Sequence, residues 1–283
     1  MAASRDHRVL VPVDVLGGEG VPQSVVDAFA SVPITLLAYR TIPDQIGTDQ
    51  ARDQYGDRVR AELEALRAVF EDAGCEDVST RLVFTHDRLQ TFERVALAED
   101  CDAVLLLNPA AKLESVLVAV RSDVNLEYIA GFLGTLVAGT DLEVTFFRVV
   151  ADESDREDAT DLLETAAAEL TATGVDRDRI AVSVVVDGSP TREILRAADD
   201  HDLLVVGESR PSIRRFIFRD RAKTLARGTV DPVVVIRGEY LEHGTDDAAD
   251  AVDLDGDSGS HDTRNAERSD GSTTEETGDD EPR

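Results

Sequence analysis

The stretch Asp187–Gly238, DGSPTREILRAADDHDLLVVGESRPSIRRFIFRDRAKTLARGTVDPVVVIRG, decides the fold. Gly188-Ser189-Pro190 turns into a helix beginning near Thr191, with Thr191 and Glu193 suited to its first turn. Ile194, Leu195, Ala197 and Ala198 give that helix a core stripe at helical spacing. Asp202 ends it. Leu203 to Val206, stopped by Gly207, then reads as a short strand buried on both faces, the kind a parallel sheet needs. Pro232 opens a second such run, Val233 to Ile236. Strand, helical crossover, strand is the unit of an α/β sheet.

Upstream the same text recurs. Ala98 to Leu107 (AEDCDAVLLL) matches Ala198 to Gly207 (ADDHDLLVVG) without gaps, at an offset of 100. Val9 to Val15 pairs with Val116 to Ser122, and ITLLAYR from Ile34 pairs with VTFFRVV from Val144. Each half then has an amphipathic helix: Tyr55, Val59, Leu63, Leu66 and Phe70 in the first, Ala159, Leu162, Leu163, Ala166, Ala167 and Leu170 in the second. Gly74 and Gly174 end these helices as C-terminal caps. Each half therefore reads β-α-β-α-β-α-β, and only the second continues to a fourth helix and a fifth strand. The six residues Ala110 to Ser115 cannot hold a crossover helix plus a strand, so the first half is expected to be truncated.

The chain has 283 residues, 58 acidic against 29 basic, for a net charge of −29. Lysine occurs only at Lys112 and Lys223, and there is no tryptophan. This composition resembles that of proteins from salt-rich cytoplasm, where self-repulsion is screened over about 3 Å at molar salt. It argues against nucleic-acid binding and against docking on anionic membranes. No apolar run is long enough to span a bilayer and MAASRDHRVL lacks a signal-peptide core, so a cytoplasmic protein is expected. Tyr240 to Arg283 holds 15 acidic and 3 basic residues, with no large apolar residue after Leu254. Such a segment cannot offset its ordering entropy by burial, and disorder is expected over 239–283.

The loop Gly188-x-Pro190-x-x-x-Ile194, Asp202 before an apolar strand, and the closing Pro232 to Ile236 together resemble the universal stress protein family. The resemblance covers Arg8 to Gly238. It implies two tandem α/β units of the adenine-nucleotide-hydrolase-like type, open parallel sheets flanked by helices, at 8–110 (truncated) and 115–238 (complete). Members of that family commonly pair through the fifth strand, and one branch binds ATP. The ATP-binding branch has an aspartate ending strand one; Asp14 fills that place in the first half and Arg121 in the second. It also has Gly-x-x-Gly, a spacer, then Gly-Ser or Gly-Thr, so that backbone N–H groups reach phosphate oxygens. Gly207 fits the first glycine, but Arg210 stands where the second should be, followed by Pro211, which has no N–H. Arg219-Asp220 aligns with the Gly-Ser. Neither half has a complete ATP site, and no cofactor is expected.

Between Glu208 and Gly228 lie Arg210, Arg214, Arg215, Arg219, Arg221, Lys223 and Arg227. They read either as a solvated helix face or as an anion site at the carboxyl ends of the strands, where open α/β sheets bind ligands. The candidate anion or nucleotide residues are Asp14, Gly207, Arg210, Arg214 and Arg219. Cys75 and Cys101 read as buried thiols, and His201 as a helix-end residue. No catalytic motif and no metal-ligand spacing is present. The expected function is a non-enzymatic stress-response protein acting by self-association or by binding a protein partner, with a degenerate nucleotide site. A homodimer through Val233 to Ile236 is expected, because an unpaired apolar edge strand seeks a partner. A nucleotide or phosphate sensor using the arginine-modified loop, and a regulatory accessory to a membrane transporter, are the alternatives.

Overall fold

Short runs of valine, leucine and isoleucine form the strands, and segments with 3.6-residue periodicity form the helices between them. The computed structural model describes residues 7–108, 112–121, 126–207 and 231–237. The first half comprises β1 (Val9–Val13), α1 (Gln23–Phe29), β2 (Ile34–Thr41), α2 (Thr48–Asp72), β3 (Val78–Thr85), α3 (Arg88–Ala98) and β4 (Ala103–Leu106). The second comprises β5 (Ser115–Ala119), α4 (Leu126–Val137), β6 (Glu143–Val150), α5 (Arg156–Ala172), β7 (Ile180–Val186), α6 (Pro190–Ala198), β8 (Leu203–Gly207) and β9 (Val233–Ile236). Gly74 and Gly174 follow α2 and α5 with φ of +103° and +105°, the left-handed geometry that a C-terminal cap requires. Val59, Leu63 and Phe70 of α2 are buried as expected. Tyr55 is not, because the N-terminal turns of α2 pack through Ala51 against Ile42 and Phe84.

The nine strands of the described residues join in one sheet, in the order β3-β2-β1-β4-β9-β8-β5-β6-β7. The two sheets expected are thus one. Within each half the strands are parallel and follow the same internal order; among the described residues the single antiparallel pair is β4 with β9. Alternate residues feed opposite faces. Val9, Leu36, Ala103, Val118, Phe146, Val205 and Val234 face α1, α2, α4 and α5, whereas Leu10, Leu37, Val104, Leu117, Phe147, Leu204 and Val235 face α3 and α6.

The β4–β9 pairing overturns the expectation that Val233–Ile236 is a free dimerisation edge. One side of β9 pairs with β8 and the other with β4 (Ala103↔Ile236 to Leu106↔Val233), so the last strand has no edge to offer a second chain. The cause is the truncation itself. Without a fifth strand of its own, the first half leaves β4 with an unpaired apolar edge, and β9 carries the matching one. Pairing within one chain satisfies both. It also explains the short connection from Leu106 to Ser115. The antiparallel junction places the end of β4 and the start of β5 at the same end of the sheet. Three strand spacings, about 14 Å, then separate them, within reach of eight intervening residues.

Side chains reinforce this junction. Arg237, buried just past β9, donates from Nη1 to the carbonyls of Ala96 (3.2 Å) and Cys101 (2.6 Å) at the end of α3. A guanidinium there meets the negative end of the helix dipole. His7, before β1, lies edge-on to Tyr128 and Phe132 of α4, with ring centroids 5.0 and 5.8 Å apart. Ser31 donates to the Thr135 carbonyl (3.1 Å) and Asn108 to that of Asp231 (2.8 Å). The chain divides into two units, Met1–Leu241 and Glu242–Arg283, and the sheet belongs wholly to the first. The acidic segment 239–283 lies outside the described residues, as does the expected fourth helix of the second half. Among the described residues no helix is long and apolar enough to cross a membrane.

Candidate functional site

The repeated aspartates lie next to the strand starts, and their chemistry is structural. Asp102 Oδ2 accepts the Arg8 N–H (2.7 Å), which ties the start of β1 to the start of β4; its other oxygen accepts the Tyr128 hydroxyl of α4. Asp202 Oδ2 accepts the N–H groups of Glu114 and Ser115 and the Ser115 hydroxyl, each at 2.9 Å, doing the same for β5 and β8. Burial works against the Asp202 carboxylate, but these donors outweigh it and hold its pKa below the usual carboxylate range. The residues that precede them differ in kind. His201 Nδ1 donates to the Ala197 carbonyl (2.8 Å) at the end of α6, as expected of a helix-end residue. Cys101 is a buried free thiol, pushed up to about 11 by burial, and Cys75 is also buried and free.

Asp14 stands at the carboxyl end of β1, beside the switch point between β1 and β4 where α/β sheets place ligands. Its carboxylate is already engaged. Oδ1 accepts the Gly17 N–H (2.9 Å), capping a one-turn 3-10 helix over Val15–Gly17, and the Arg40 guanidinium lies 3.2 Å away. Glu19 folds back to accept the Asp14 N–H (2.7 Å). Burial, and then the nearby Asp14 charge, push the Glu19 carboxyl up, while its bond from the Asp14 N–H and the charge of Arg88 pull the other way. Tyr39 is raised by burial and by Glu19, and its hydroxyl receives a hydrogen bond from Arg88. Two carboxylates and two guanidiniums thus neutralise one another around a buried tyrosine.

Gly207 lies at the carboxyl end of β8, on the face covered by α4. A Cβ there would come within 2.8 Å of Ile129 Cδ1, so its missing side chain makes room for α4. One residue beyond the registered pairs Ala119–Phe147 and Ala119–Val206, Arg148 of β6 stands level with Val120 and Gly207. It shares the parity of Phe146 and therefore the same face, two strand spacings or about 10 Å from Gly207. Its Nη1 is buried and makes no hydrogen bond among the described residues. Arg121, the counterpart of Asp14, is exposed just past β5. Arg210, Arg214 and Arg219 lie outside the described residues. Because the two halves meet antiparallel, Asp14 and Gly207 are at opposite ends of the sheet and cannot hold one ligand together.

Sequence reasoning missed Arg40, Glu19, Arg148 and Arg237. Arg148 had a visible signal, the one charge inside the apolar strand EVTFFRVV that is not at its end. Arg237 had none, since its partners are carbonyls brought in by the β4–β9 pairing. Among the described residues no cluster of His, Cys, Asp and Glu could hold a metal ion.

Residues 112–237 match the universal stress protein family. That match falls in the second half, from β5 to β9. The whole sheet is also similar to a solved universal stress protein from Archaeoglobus fulgidus DSM 4304, at 16% identity and a TM-score of 0.58, over 84% of this chain and 98% of that one. A universal stress protein from Archaeoglobus fulgidus in complex with dAMP is similar at 20% identity, over 44% of this chain and 98% of that one, with a TM-score of 0.36. A universal stress protein in complex with cAMP is similar at 22% identity, over 46% and 100%, with a TM-score of 0.37. A search of curated proteins found no match.

Proposed function

We propose that this chain is a non-enzymatic binding protein of the universal stress type, with a degenerate nucleotide site in its first half. The observation that carries this reading is Asp14: its carboxylate is held by the Gly17 N–H and by Arg40, with Glu19 packed beside it. A nucleotide hydroxyl would have to displace those partners, and Arg40 and Arg88, already matched by the Asp14 and Glu19 carboxylates, leave no net positive charge for phosphate. Nor can Gly207 complete the site from the far end of the sheet. With β9 sealed between β4 and β8, function falls to a protein partner bound through surfaces other than the last strand. Mass spectrometry of protein purified at high salt, followed by titration with ATP and AMP, tests this. The expected result is no co-purified nucleotide and no saturable binding. A bound adenine nucleotide released by Asp14→Ala would overturn it.

A second reading is favoured by Arg148. A buried guanidinium end with no hydrogen bond among the described residues, level with Gly207, suits an anionic ligand at the carboxyl end of the second half. Under this reading nucleotide or phosphate binds, and Arg148→Ala abolishes binding while Asp14→Ala leaves it intact.

A further inference from the structure

The outer strands of the sheet, β3 and β7, have no strand beyond them among the described residues. β7 is the more hazardous of the two. Its sequence IAVSVVV has seven residues, no charge and no proline, the composition from which strands stack onto strands. In a parallel ladder alternate residues direct both N–H and C=O to one side. The Asp187 N–H bonds to the Val150 carbonyl, so the odd-numbered residues of β7 point at β6. Ile180, Val182, Val184 and Val186 therefore point outward. On β3 the Ile34 and Ile42 N–H groups bond to the Asp77 and Thr85 carbonyls, so the even-numbered residues, Thr80 among them, point outward.

Three of these outward carbonyls are taken by arginines, each in the same way. Arg156 Nη1 donates to the Val184 carbonyl (3.0 Å) while its Nε donates to Glu153 (2.6 Å). Arg177 Nη1 donates to the Ile180 carbonyl while its Nη2 donates to Glu164 (2.8 Å). Arg81 Nη1 donates to the Thr80 carbonyl (3.0 Å) while its Nε donates to Glu99 (2.6 Å). One guanidinium edge covers a ladder acceptor and another is anchored on a carboxylate, so the charge stands where an incoming strand would lie. Lysine, a point donor, cannot hold both partners in one plane.

We propose that these carboxylate-anchored arginines close both edges of the sheet against a second copy of this chain, leaving the protein monomeric. The test is light scattering with size exclusion at high salt on the full chain, over a concentration series, for wild type, R156A/R177A, R156K/R177K and the control R60A. Arg60 is an exposed α2 arginine paired with Asp57 of its own helix. Wild type and R60A are expected at 30.6 kDa throughout. R156A/R177A, folded by near-ultraviolet circular dichroism, is expected to shift towards twice that mass or more as concentration rises, and R156K/R177K to shift less. A folded R156A/R177A that stays monomeric overturns the proposal, as does equal association of R60A. Amide exchange decides the matter without any variant: protection of Val182 and Val184 in wild type is expected to be independent of concentration. Protection that rises with concentration would mean the edge is open.

Discussion

At the carboxyl end of β1 the charges answer one another: Asp14 meets Arg40 and the Gly17 N–H, and Glu19 turns back on the Asp14 N–H. At the carboxyl end of β6, Arg148 buries Nη1 without a hydrogen bond among the described residues, level with a glycine that α4 has crowded. Yet the amino ends of the two halves are built alike, with Asp102 and Asp202 each tying a first strand to a fourth. The repeat in the sequence therefore records scaffold. Its ligand-facing ends have diverged, and the antiparallel junction has turned them away from each other.

The largest expected effect comes from the strand the halves share. Val235 is fully buried and faces α3 and α6. Val235→Asp places a carboxylate there without a partner, at a cost of several kcal/mol. If β9 serves both halves, urea unfolding followed at probes in each half shows one common transition at much lower denaturant. A first half that keeps its own midpoint would show the halves to be independent. Arg237→Ala comes next. Loss of two buried bonds to the end of α3 is expected to cost about 2–4 kcal/mol, read by urea unfolding.

Asp202 and Glu19 respond to pH in opposite senses. A carboxylate held below its usual pKa adds stability above the usual carboxylate range, and that stability is lost as pH falls through the depressed value. Asp202→Asn should therefore destabilise by about 1–3 kcal/mol at neutral pH and flatten the acid limb of the stability profile. Glu19 runs the other way, since burial raises its pKa: ionisation costs the fold stability as pH rises through that raised value. Glu19→Gln keeps an acceptor for the Asp14 N–H and should gain less than about 1 kcal/mol at neutral pH by thermal melting. An effect of similar size is expected at Gly207. Gly207→Ala meets only the tip of Ile129, so a cost of about 1 kcal/mol is expected, recovered by Ile129→Val. No recovery would mean the glycine serves something other than α4.

Most of the fold was legible because its signals are local. Apolar runs such as Leu203–Val206 marked strands, helical stripes such as Leu163–Leu170 marked helices, and Gly74 and Gly174 marked where helices stop. The truncation of the first half could be read from chain length alone. What could not be read is where the orphaned edge of β4 goes, since that depends on a partner more than a hundred residues later. The error about Val233–Ile236 as a dimer edge has that origin: a strand can be recognised from its residues, but its neighbours are set by topology. The site was legible to the same degree. Asp14 sits where strand one ends, but Arg40 and Glu19, which occupy it, are brought in by β2 and by a turn. Gly207 was read as room for phosphate, and the room is filled by Ile129.

The shared strand can be tested most directly by amide hydrogen exchange along β4. The register with β9, and the Arg237 N–H bonded to the Asp102 carbonyl, direct the Val104 and Leu106 amides at β9. They should exchange only through global unfolding, as slowly as the amides of β1. Fast exchange at Val104 and Leu106, with β1 still protected, would make β4 an open edge and contradict the pairing on which this account rests.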